Sequence, residues 1–229
     1  MCPIESNLQH VRRDIDAAIA ARPACVRQAV TLVAVSKTKS AVEIRRAFDA
    51  GQRAFGENYA QEAVRKIGEL ADLRPRGIEW HFIGPLQSNK AALVARNFDW
   101  VHSVDRLKIA GLLARSREQT PLNVCIQVNV SGESSKGGIT ASEVPDFANE
   151  VAALPLLRLR GLMTIIENTP DVAAKRAQFC LMRESFDHLR KCGHQVDTLS
   201  MGMSQDFRLA IEEGSTMVRV GSAIFGART

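Results

Sequence analysis

The chain has 229 residues, of which 45% are apolar and 24% are charged. These proportions are typical of an ordinary folded protein and exclude a disordered chain or a fibrous repeat. Its 30 basic and 25 acidic residues give a net charge of +5. Because these charges are interspersed along the chain rather than gathered into a tail, they are a weak indication of anionic partners.

The sequence carries no sign of a membrane segment or a metal site. No apolar run approaches the roughly 20 residues of a membrane helix, and residues Met1–Glu5 lack a basic region followed by an apolar one. The five cysteines are scattered and form no CxxC pair, so neither a disulfide framework nor a zinc site is expected. Cys125 lies in an apolar run and is predicted to be a small core residue. We therefore expect a cytoplasmic protein without a bound metal ion and without membrane contact.

A first helix is predicted from Ile4 to Ala21, because Leu8, Val11, Ile15 and Ile19 recur at helical spacing. Short apolar runs then alternate with longer amphipathic segments. Eight runs are predicted as strands: Thr31–Ser36, Ala54–Glu57, Glu79–Gly84, Trp100–Val104, Asn123–Val130, Arg158–Ile165, Thr198–Met201 and Met217–Phe225. Seven segments between them are predicted as helices: Ala41–Ala50, Tyr59–Leu70, Asn89–Asn97, Arg106–Glu118, Ser142–Leu154, Val172–Lys191 and Gln205–Glu213.

This alternation predicts an α/β protein. Eight strands separated by helices in a chain of this length favour a closed (β/α)₈ barrel of the TIM type, with one extra N-terminal helix. The periodicity alone also allows an open, doubly wound sheet, which is the structural alternative. No linker, composition shift or internal repeat divides the chain, so residues 1–229 are expected to form a single domain.

Lys37 is the first candidate functional residue. It directly follows the apolar strand Leu32–Ser36, so its amine is expected at the carboxyl-terminal rim, where the active sites of such barrels lie. Burial and a cationic neighbour such as Arg219 would favour the neutral amine, which can attack an aldehyde to give a Schiff base. Alone, Lys37 could equally be a lysine that extends from a strand end into solvent.

The loops after strands seven and eight are the second candidate, because they commonly hold a phosphate group in this fold. The last strand and its exit carry Arg219, Gly221 and Ser222, and residues Ser200–Ser204 follow strand seven. Ser204 alone is better explained as the N-cap of a helix beginning near Gln205. Together, the two loops predict a phosphate site.

Six motifs in this order resemble the pyridoxal phosphate homeostasis protein family, whose YggS-like and PROSC-like members are similar in fold to the N-terminal domain of alanine racemase. The motifs run nearly from end to end of the chain, and their combination is specific although each would be weak alone. They are Val33–Lys37, Phe55–Tyr59 with Gln61 and Glu62, Trp80–Gln87 with Asn89 and Lys90, Gly161–Thr164, Leu199–Ser204 with Asp206, and Arg219–Gly221 with Ile224–Gly226.

The resemblance implies that the cofactor is pyridoxal 5'-phosphate, held as a Schiff base on Lys37. It implies a monomeric carrier or reservoir in intracellular pyridoxal phosphate homeostasis, with little or no turnover and with apo pyridoxal-phosphate enzymes as candidate partners. It also implies the cofactor contacts: Ser200, Ser204, Gly221 and Ser222 around the phosphate, Arg219 facing the pyridine nitrogen, and Asn58 and Met163 as further pocket residues.

The Gly-rich segment Ser131–Gly138 also resembles a loop of this family. Relatives are expected to have an aromatic residue after the glycine that ends the loop, where this chain has Gly138 and then Ile139. If that aromatic shields the cofactor in relatives, shielding is expected to be weaker here. The residues themselves leave open whether the segment is a mobile cover over the site or a plain connector.

The first alternative function is a racemase-like enzyme that depends on pyridoxal phosphate, which needs two bases on opposite faces of its substrate. In alanine racemases the opposing tyrosine comes from a separate C-terminal domain, and we expect none beyond Thr229, directly after the last strand. The chain's only tyrosine, Tyr59, is predicted to pack or to cap a helix rather than to line the pocket.

Two further candidate functions are a Schiff-base aldolase and a nucleic-acid-binding protein. A Schiff-base aldolase could use Lys37 against a sugar phosphate, although the resemblance favours the carrier. Nucleic-acid binding is not expected, because no aromatic residue is interleaved with a basic cluster.

His81, inside a predicted strand, could be an acid or base but is better explained as a hydrogen-bonded core residue.

Overall fold

The computed structural model describes residues 3–22, 28–133 and 136–226. Eight parallel strands follow one another around a closed barrel, and the last pairs with the first. They are β1 Thr31–Val35, β2 Ala54–Glu57, β3 Glu79–Phe82, β4 Trp100–Val104, β5 Leu122–Gln127, β6 Leu157–Met163, β7 Thr198–Met203 and β8 Met217–Val220. The predicted barrel is confirmed, and the open sheet is excluded.

Helices surround the barrel and alternate with its strands. Within the described residues they are α1 Pro3–Ala21, α2 Ala41–Asp49, α3 Ala60–Glu69, α4 Ala91–Asn97, α5 Leu107–Ser116, α6 Val144–Ala152, α7 Val172–Lys191, α8 Phe207–Glu212 and α9 Ser222–Phe225. Short 3₁₀ helices span Ala71–Arg76, Ser88–Lys90 and Ala141–Glu143. Among the described residues, no helix combines the length and apolar character needed to cross a bilayer.

Two buried apolar layers stabilise the fold. The larger one lies between the barrel wall and the helices and includes Phe48, Phe82 and Phe179. The smaller one is contributed by one residue from each of six strands, and because side chains alternate across a strand it lies inside the barrel. Its members are Val33, Ala54, Trp100, Cys125, Met163 and Met217. Cys125 is fully buried there, as predicted, and burial raises the pKa of its thiol to about 12.

The extra N-terminal helix is also confirmed. Leu8, Val11 and Ile15 form its buried face, and α1 packs against α8 and α9. The Asn7 side-chain amide donates a hydrogen bond to the Ile224 carbonyl oxygen over 2.9 Å. Helix α1 therefore holds α9, which directly follows the last strand.

The predicted last strand, Met217–Phe225, is wrong in its second half. Strand β8 ends at Val220, and the backbone N–H groups of Ile224 and Phe225 both donate to the Gly221 carbonyl oxygen, forming α9. An apolar run of this length fits a strand and a short buried helix equally well. A Cβ at position 221 would lie 3.2 Å from the Val35 Cβ, so the absent side chain of Gly221 lets this turn approach β1 closely.

The start of the helix after β7 also differs from the prediction. Helix α8 begins at Phe207, two residues later than expected, and Asp206 occupies its N-cap position. The Asp206 carboxylate accepts the Met203 backbone N–H at 2.6 Å. The predicted role of Ser204 as N-cap is therefore wrong, because the chain makes a further turn before α8 begins. This leaves the Ser204 hydroxyl available to the site.

Candidate functional site

Three neighbouring strand exits form one cavity at the carboxyl end of the barrel. Because β8 pairs with both β7 and β1, the turns after these three strands meet at the same rim. The cavity has a volume of about 180 Å³. Its lining residues are Val35, Lys37, Thr38, Lys39, Met203, Ser204, Arg219, Gly221, Ser222, Phe225 and Gly226.

Lys37 sits in a constrained turn directly after β1. The next residue, Thr38, has a φ of 64°, a left-handed conformation that is costly for a residue with a branched side chain. Two hydrogen bonds hold this turn: the Thr38 N–H donates to Glu62 Oε1 at 2.7 Å, and the Lys39 N–H donates to the Ser36 carbonyl at 3.0 Å. The backbone that carries Lys37 is therefore fixed from both sides.

A buried ionic cluster lies beneath this turn, between β2 and α3. We call Ser36, Glu57, Glu62 and Lys66 the Glu57–Lys66 cluster. Lys66 Nζ lies 2.9 Å from Glu57 Oε1 and also donates to the Ser36 carbonyl oxygen at 2.9 Å. The Ser36 hydroxyl donates to the same Glu57 oxygen at 2.6 Å. Burial raises the pKa of Glu57 above its usual value, and pairing with Lys66 offsets part of that cost.

Arg219 supplies a buried cation to the opposite wall of the cavity. Its side chain is only 4% exposed, and burial lowers the pKa of the guanidinium to about 10. It donates to Ser200 Oγ at 2.6 Å and to the Thr164 carbonyl oxygen at 2.8 Å. No ion pair within 4.0 Å joins Arg219 to a carboxylate of the described residues. Its direct hydrogen bonds therefore go to neutral acceptors, while the Asp206 carboxylate acts on it from beyond contact distance.

The turns after β7 and β8 are joined across the cavity. The Gly221 backbone N–H lies 3.4 Å from Ser204 Oγ, and Ser222 begins α9 with an exposed side chain. Gly202 has a φ of 98°, and a Cβ there would lie 2.6 Å from the Ala210 Cβ. The end of β7 can therefore pack this closely against α8 only with glycine at this position.

The eight predicted cofactor residues do not all lie at the cavity. Lys37, Ser204, Arg219, Gly221 and Ser222 line it. The other three lie apart from it. Met163 is fully buried inside the barrel, the Ser200 hydroxyl is fully buried between Arg219 and His102, and Asn58 lines a neighbouring cleft.

That neighbouring cleft has a volume of about 510 Å³ and also contains Tyr59, Pro85 and Leu86. Asn58 Oδ1 is buried there without a hydrogen-bond partner. Tyr59 is 57% exposed and makes no side-chain capping bond, although it occupies the N-cap position of α3. The prediction that its side chain packs or caps is therefore wrong: Tyr59 begins α3 only through its backbone carbonyl, which accepts the Ala63 N–H at 3.0 Å.

His81 is a fully buried, hydrogen-bonded core residue, as predicted, with Nδ1 lying 3.0 Å from His102 Nε2. Sequence reasoning missed two residues next to the site, His102 and Lys66. The spacing of Glu62 and Lys66 by four positions on one helix was an available signal for the second. His102 gave no comparable signal, because strand β4 is buried along its whole length.

The predicted loop Ser131–Gly138 is described only in part, because Ser134 and Ser135 lie outside the described residues. Both flanks are tied to the exit of β5. The Asn129 side-chain amide donates to the Glu133 carbonyl at 2.8 Å, and the Gln127 amide donates to the Gly137 carbonyl at 2.8 Å. Ile139 is buried beside Val128 rather than exposed over the cavity.

Across residues 3–22, 28–133 and 136–226, no three His, Cys, Asp or Glu side chains come together as a metal site would require. The ionisable side chains that line the cavity are those of Lys37, Lys39 and Arg219. The site therefore combines a lysine amine, serine hydroxyls and a buried guanidinium, a set suited to an anionic carbonyl compound.

Comparison with known proteins identifies the family. The family model for the N-terminal domain of alanine racemase matches residues 7–229. The pyridoxal phosphate homeostasis protein of Escherichia coli strain K12 is 52% identical over 230 residues, covering 100% of this chain and 98% of that protein. This chain belongs to the pyridoxal phosphate homeostasis protein family. The homeostasis protein of Vibrio cholerae serotype O1 is 51% identical over 233 residues, again covering 100% of this chain and 98% of that protein.

Solved structures of the family share the fold. PipY of Synechococcus elongatus, whose structure was solved with pyridoxal phosphate bound, is 36% identical to this chain with a TM-score of 0.84. The match covers 97% of this chain and 100% of PipY. The likeness therefore extends over the whole barrel.

Proposed function

We propose that this chain binds pyridoxal 5'-phosphate as a Schiff base on Lys37 and serves as its carrier or reservoir, with little or no catalytic turnover. The cofactor supplies an aldehyde that a lysine amine can hold reversibly. Lys37 would hold that aldehyde, and Ser204, Ser222 and the Gly221 N–H would bind the phosphate. Arg219 would lie toward the ring nitrogen.

The main support for this proposal is that Lys37 and Arg219 line one cavity together with the turns after β7 and β8. In barrels of this type these two turns commonly hold a phosphate group. A buried guanidinium without a carboxylate partner favours a ligand that brings its own negative charge or lone pair. PipY, with 36% identity, was solved with pyridoxal phosphate bound. Relatives about 50% identical are named as homeostasis proteins.

The low turnover rests on which groups surround the cavity. Among the described residues, its lining contains no tyrosine, histidine or carboxylate that could act as a second base opposite Lys37. Tyr59 lies in the neighbouring cleft instead. The predicted cofactor contacts of Asn58, Met163 and Ser200 stay predictions. Ser200 accepts a hydrogen bond from Arg219, whereas Met163 lies in the barrel interior and Asn58 in the neighbouring cleft.

We also propose a cytoplasmic, monomeric protein that passes the cofactor to apo pyridoxal-phosphate enzymes. The described cysteines Cys125, Cys180 and Cys192 are free thiols, as in a reducing compartment. Large apolar side chains are exposed on the rim that carries the cavity, where a recipient could dock. They are Tyr59, Leu107, Ile165 and Met203.

The binding proposal is tested by titrating purified wild type and Lys37→Ala with pyridoxal phosphate and recording absorption spectra. Wild type should develop the visible band of a protein-bound Schiff base, and Lys37→Ala should not. Lys39→Ala is the matched control, because Lys39 lines the same cavity and should be dispensable for the band. Absence of the band from wild type, or its persistence in Lys37→Ala, would contradict the proposal.

The carrier role is tested with holoprotein and L-alanine. We expect no measurable formation of D-alanine. Racemisation at an ordinary enzymatic rate, on the order of 1 s⁻¹ or faster, would show that the protein is an enzyme of the racemase type. The Lys37→Ala variant serves as the background in this assay.

A further inference from the structure

A chain of polar side chains crosses the interior of the barrel from one mouth to the other. It begins at Arg219, whose Nη1 donates to Ser200 Oγ at 2.6 Å. Ser200 Oγ lies 3.0 Å from His102 Nδ1, and His102 Nε2 lies 3.0 Å from His81 Nδ1. His81 Nε2 lies 3.7 Å from a carboxylate oxygen of Glu79, the first residue of β3.

The groups at the two ends of this series determine which atom donates in each of its hydrogen bonds. A guanidinium can only donate hydrogen bonds, so Ser200 Oγ accepts from Arg219 and its own proton is available to His102 Nδ1. His102 then carries its proton on Nε2 and donates to His81 Nδ1. His81 in turn carries its proton on Nε2, which faces the carboxylate of Glu79.

The reversed arrangement is disfavoured at the far end. If His102 donated through Nδ1 to Ser200, its Nε2 would have to accept from His81 Nδ1. The unprotonated Nε2 of His81, which is buried and has no hydrogen-bond partner among the described residues, would then face the Glu79 carboxylate at 3.7 Å, so that two acceptors would oppose each other. Both rings are buried, which lowers both histidine pKa values and keeps the neutral tautomers in place.

We propose that His102 and His81, acting through Ser200, are positioning residues that orient Arg219 toward the cofactor. This inference rests on the proposed function. Two nitrogens of the guanidinium are held inside the barrel, one by Ser200 and one by the Thr164 carbonyl oxygen. His81 is fixed in turn by stacking on Trp100, with ring centroids 5.3 Å apart and planes 9° apart.

In this series of hydrogen bonds the Ser200 hydroxyl has a role distinct from holding the phosphate. Its proton is used by His102 and one of its lone pairs by Arg219. The hydroxyl therefore links the histidines to the guanidinium, while Ser204 and Ser222 face the cavity itself.

The tautomers can be read directly in the protein without added cofactor. Long-range ¹H–¹⁵N NMR distinguishes protonated from unprotonated imidazole nitrogens, and His81→Gln and His102→Asn assign the signals. We expect both rings to be neutral at pH 7 with the proton on Nε2. A proton on Nδ1 of either ring, or a charged ring at this pH, would overturn the proposed chain.

The effect on Arg219 is tested by measuring pyridoxal phosphate affinity in two variants of one residue. His102→Asn keeps an acceptor near the position of Nδ1, whereas His102→Leu leaves the Ser200 hydroxyl without one. The leucine variant should bind about tenfold more weakly, which corresponds to losing one hydrogen bond that supports a charged group. The asparagine variant should stay within about twofold of wild type.

Cys125→Ala is the matched control, because it removes an atom from the same interior and Cys125 takes part in none of the hydrogen bonds that link Arg219, Ser200, His102 and His81. It should lower stability and leave the affinity unchanged. Equal affinity of His102→Leu and wild type, or equal weakening in the leucine and asparagine variants, would overturn the positioning role. If wild type binds no pyridoxal phosphate while both rings carry their proton on Nε2, the proposed function fails and the hydrogen-bond chain stands.

Discussion

Two buried polar networks support the cavity from opposite sides of the barrel wall. The Glu57–Lys66 cluster lies outside the barrel, against α3, and ends at Ser36, the residue before Lys37. The interior chain from Glu79 to Arg219 lies inside the barrel and ends on the guanidinium. The outer cluster thus supports the turn that carries Lys37, and the interior chain reaches Arg219.

The two networks differ in how they carry charge. The outer cluster buries a full ion pair, and two of its hydrogen bonds go to the backbone at Ser36 and Thr38. The interior chain passes through two neutral imidazoles and a hydroxyl, and its last contact is with a side chain. The difference indicates that ionic pairing fixes the path of the chain at Lys37, whereas directional hydrogen bonds fix the orientation of Arg219.

The largest effect is expected from breaking the ionic network. Lys66→Met leaves the Glu57 carboxylate buried without its cation, which should cost about 3–5 kcal/mol of unfolding free energy. Urea denaturation monitored by circular dichroism measures this loss.

The control is the double variant Lys66→Met with Glu57→Gln, which removes both charges together. It should recover more than half of the lost stability, because no fully buried charge is left uncompensated and Glu62, the other carboxylate paired with Lys66, is partly exposed to solvent. A single variant as stable as wild type would show that the pair contributes nothing to the fold.

Breaking the interior chain of hydrogen bonds should lower the free energy of unfolding by a smaller amount. His102→Leu leaves the Ser200 O–H without its acceptor and His81 Nδ1 without a partner, at an expected cost of about 1–3 kcal/mol. The same urea experiment compares it with Lys66→Met. If His102→Leu were the more damaging of the two, the contrast between ionic and neutral networks would be wrong.

The interior chain should also make stability depend on pH. Burial lowers the pKa of His81 and of His102 in the folded state, so the unfolded state binds more protons below its own histidine pKa, about 6.5. The stability is complete above that value and is lost as pH falls toward the folded pKa values. Each histidine contributes up to about 1.4 kcal/mol per pH unit in this window.

Unfolding free energies of wild type and His102→Asn measured between pH 7.5 and 5 test this slope. Wild type should lose stability more steeply, because the variant has one buried imidazole fewer. Parallel curves would mean that His102 already takes up a proton in the folded protein. Glu79, Arg219 and the two rings are the charged or titratable groups within the chain. The carboxylate of Asp99 also acts on His81, and that of Asp206 acts on Arg219.

The smallest effect is expected from an ion pair at the surface. Arg45 and Asp72 form two hydrogen bonds of 2.7 Å, yet both lie in solvent, where screening and side-chain entropy cancel most of the attraction. Arg45→Ala should therefore leave the urea midpoint unchanged within error. A loss comparable to that of Lys66→Met would show that burial is not what separates these pairs.

Much of the fold could be predicted from the sequence, because the alternation of strand and helix patterns extends along the whole chain. Active sites of parallel barrels lie at the carboxyl ends of the strands, and this regularity also predicted that Lys37 and the turns near Ser204 and Gly221 form the site. The motifs shared with a family then added Arg219 as a ring neighbour, which stays a prediction.

Other features could not be predicted, for identifiable physical reasons. Residues Ser222–Phe225 form a helix because their N–H groups bond back to Gly221, which an apolar run does not reveal. His102 was missed because strand β4 is buried along its whole length and shows no alternation of polar and apolar residues. Its partner Ser200 also comes from a distant part of the sequence. Lys66 was missed although its spacing from Glu62 is a signal, because lysine side chains are rarely fully buried.

The central claim, that Lys37 holds the cofactor, is tested most directly by borohydride reduction of the protein loaded with pyridoxal phosphate, followed by peptide mass spectrometry. Reduction fixes a Schiff base irreversibly on the amine that formed it. We predict one pyridoxyl group at Lys37 in wild type and in Lys39→Ala, and none at that position in Lys37→Ala. Modification of another lysine with Lys37 unlabelled, or no modification of wild type, would contradict the account.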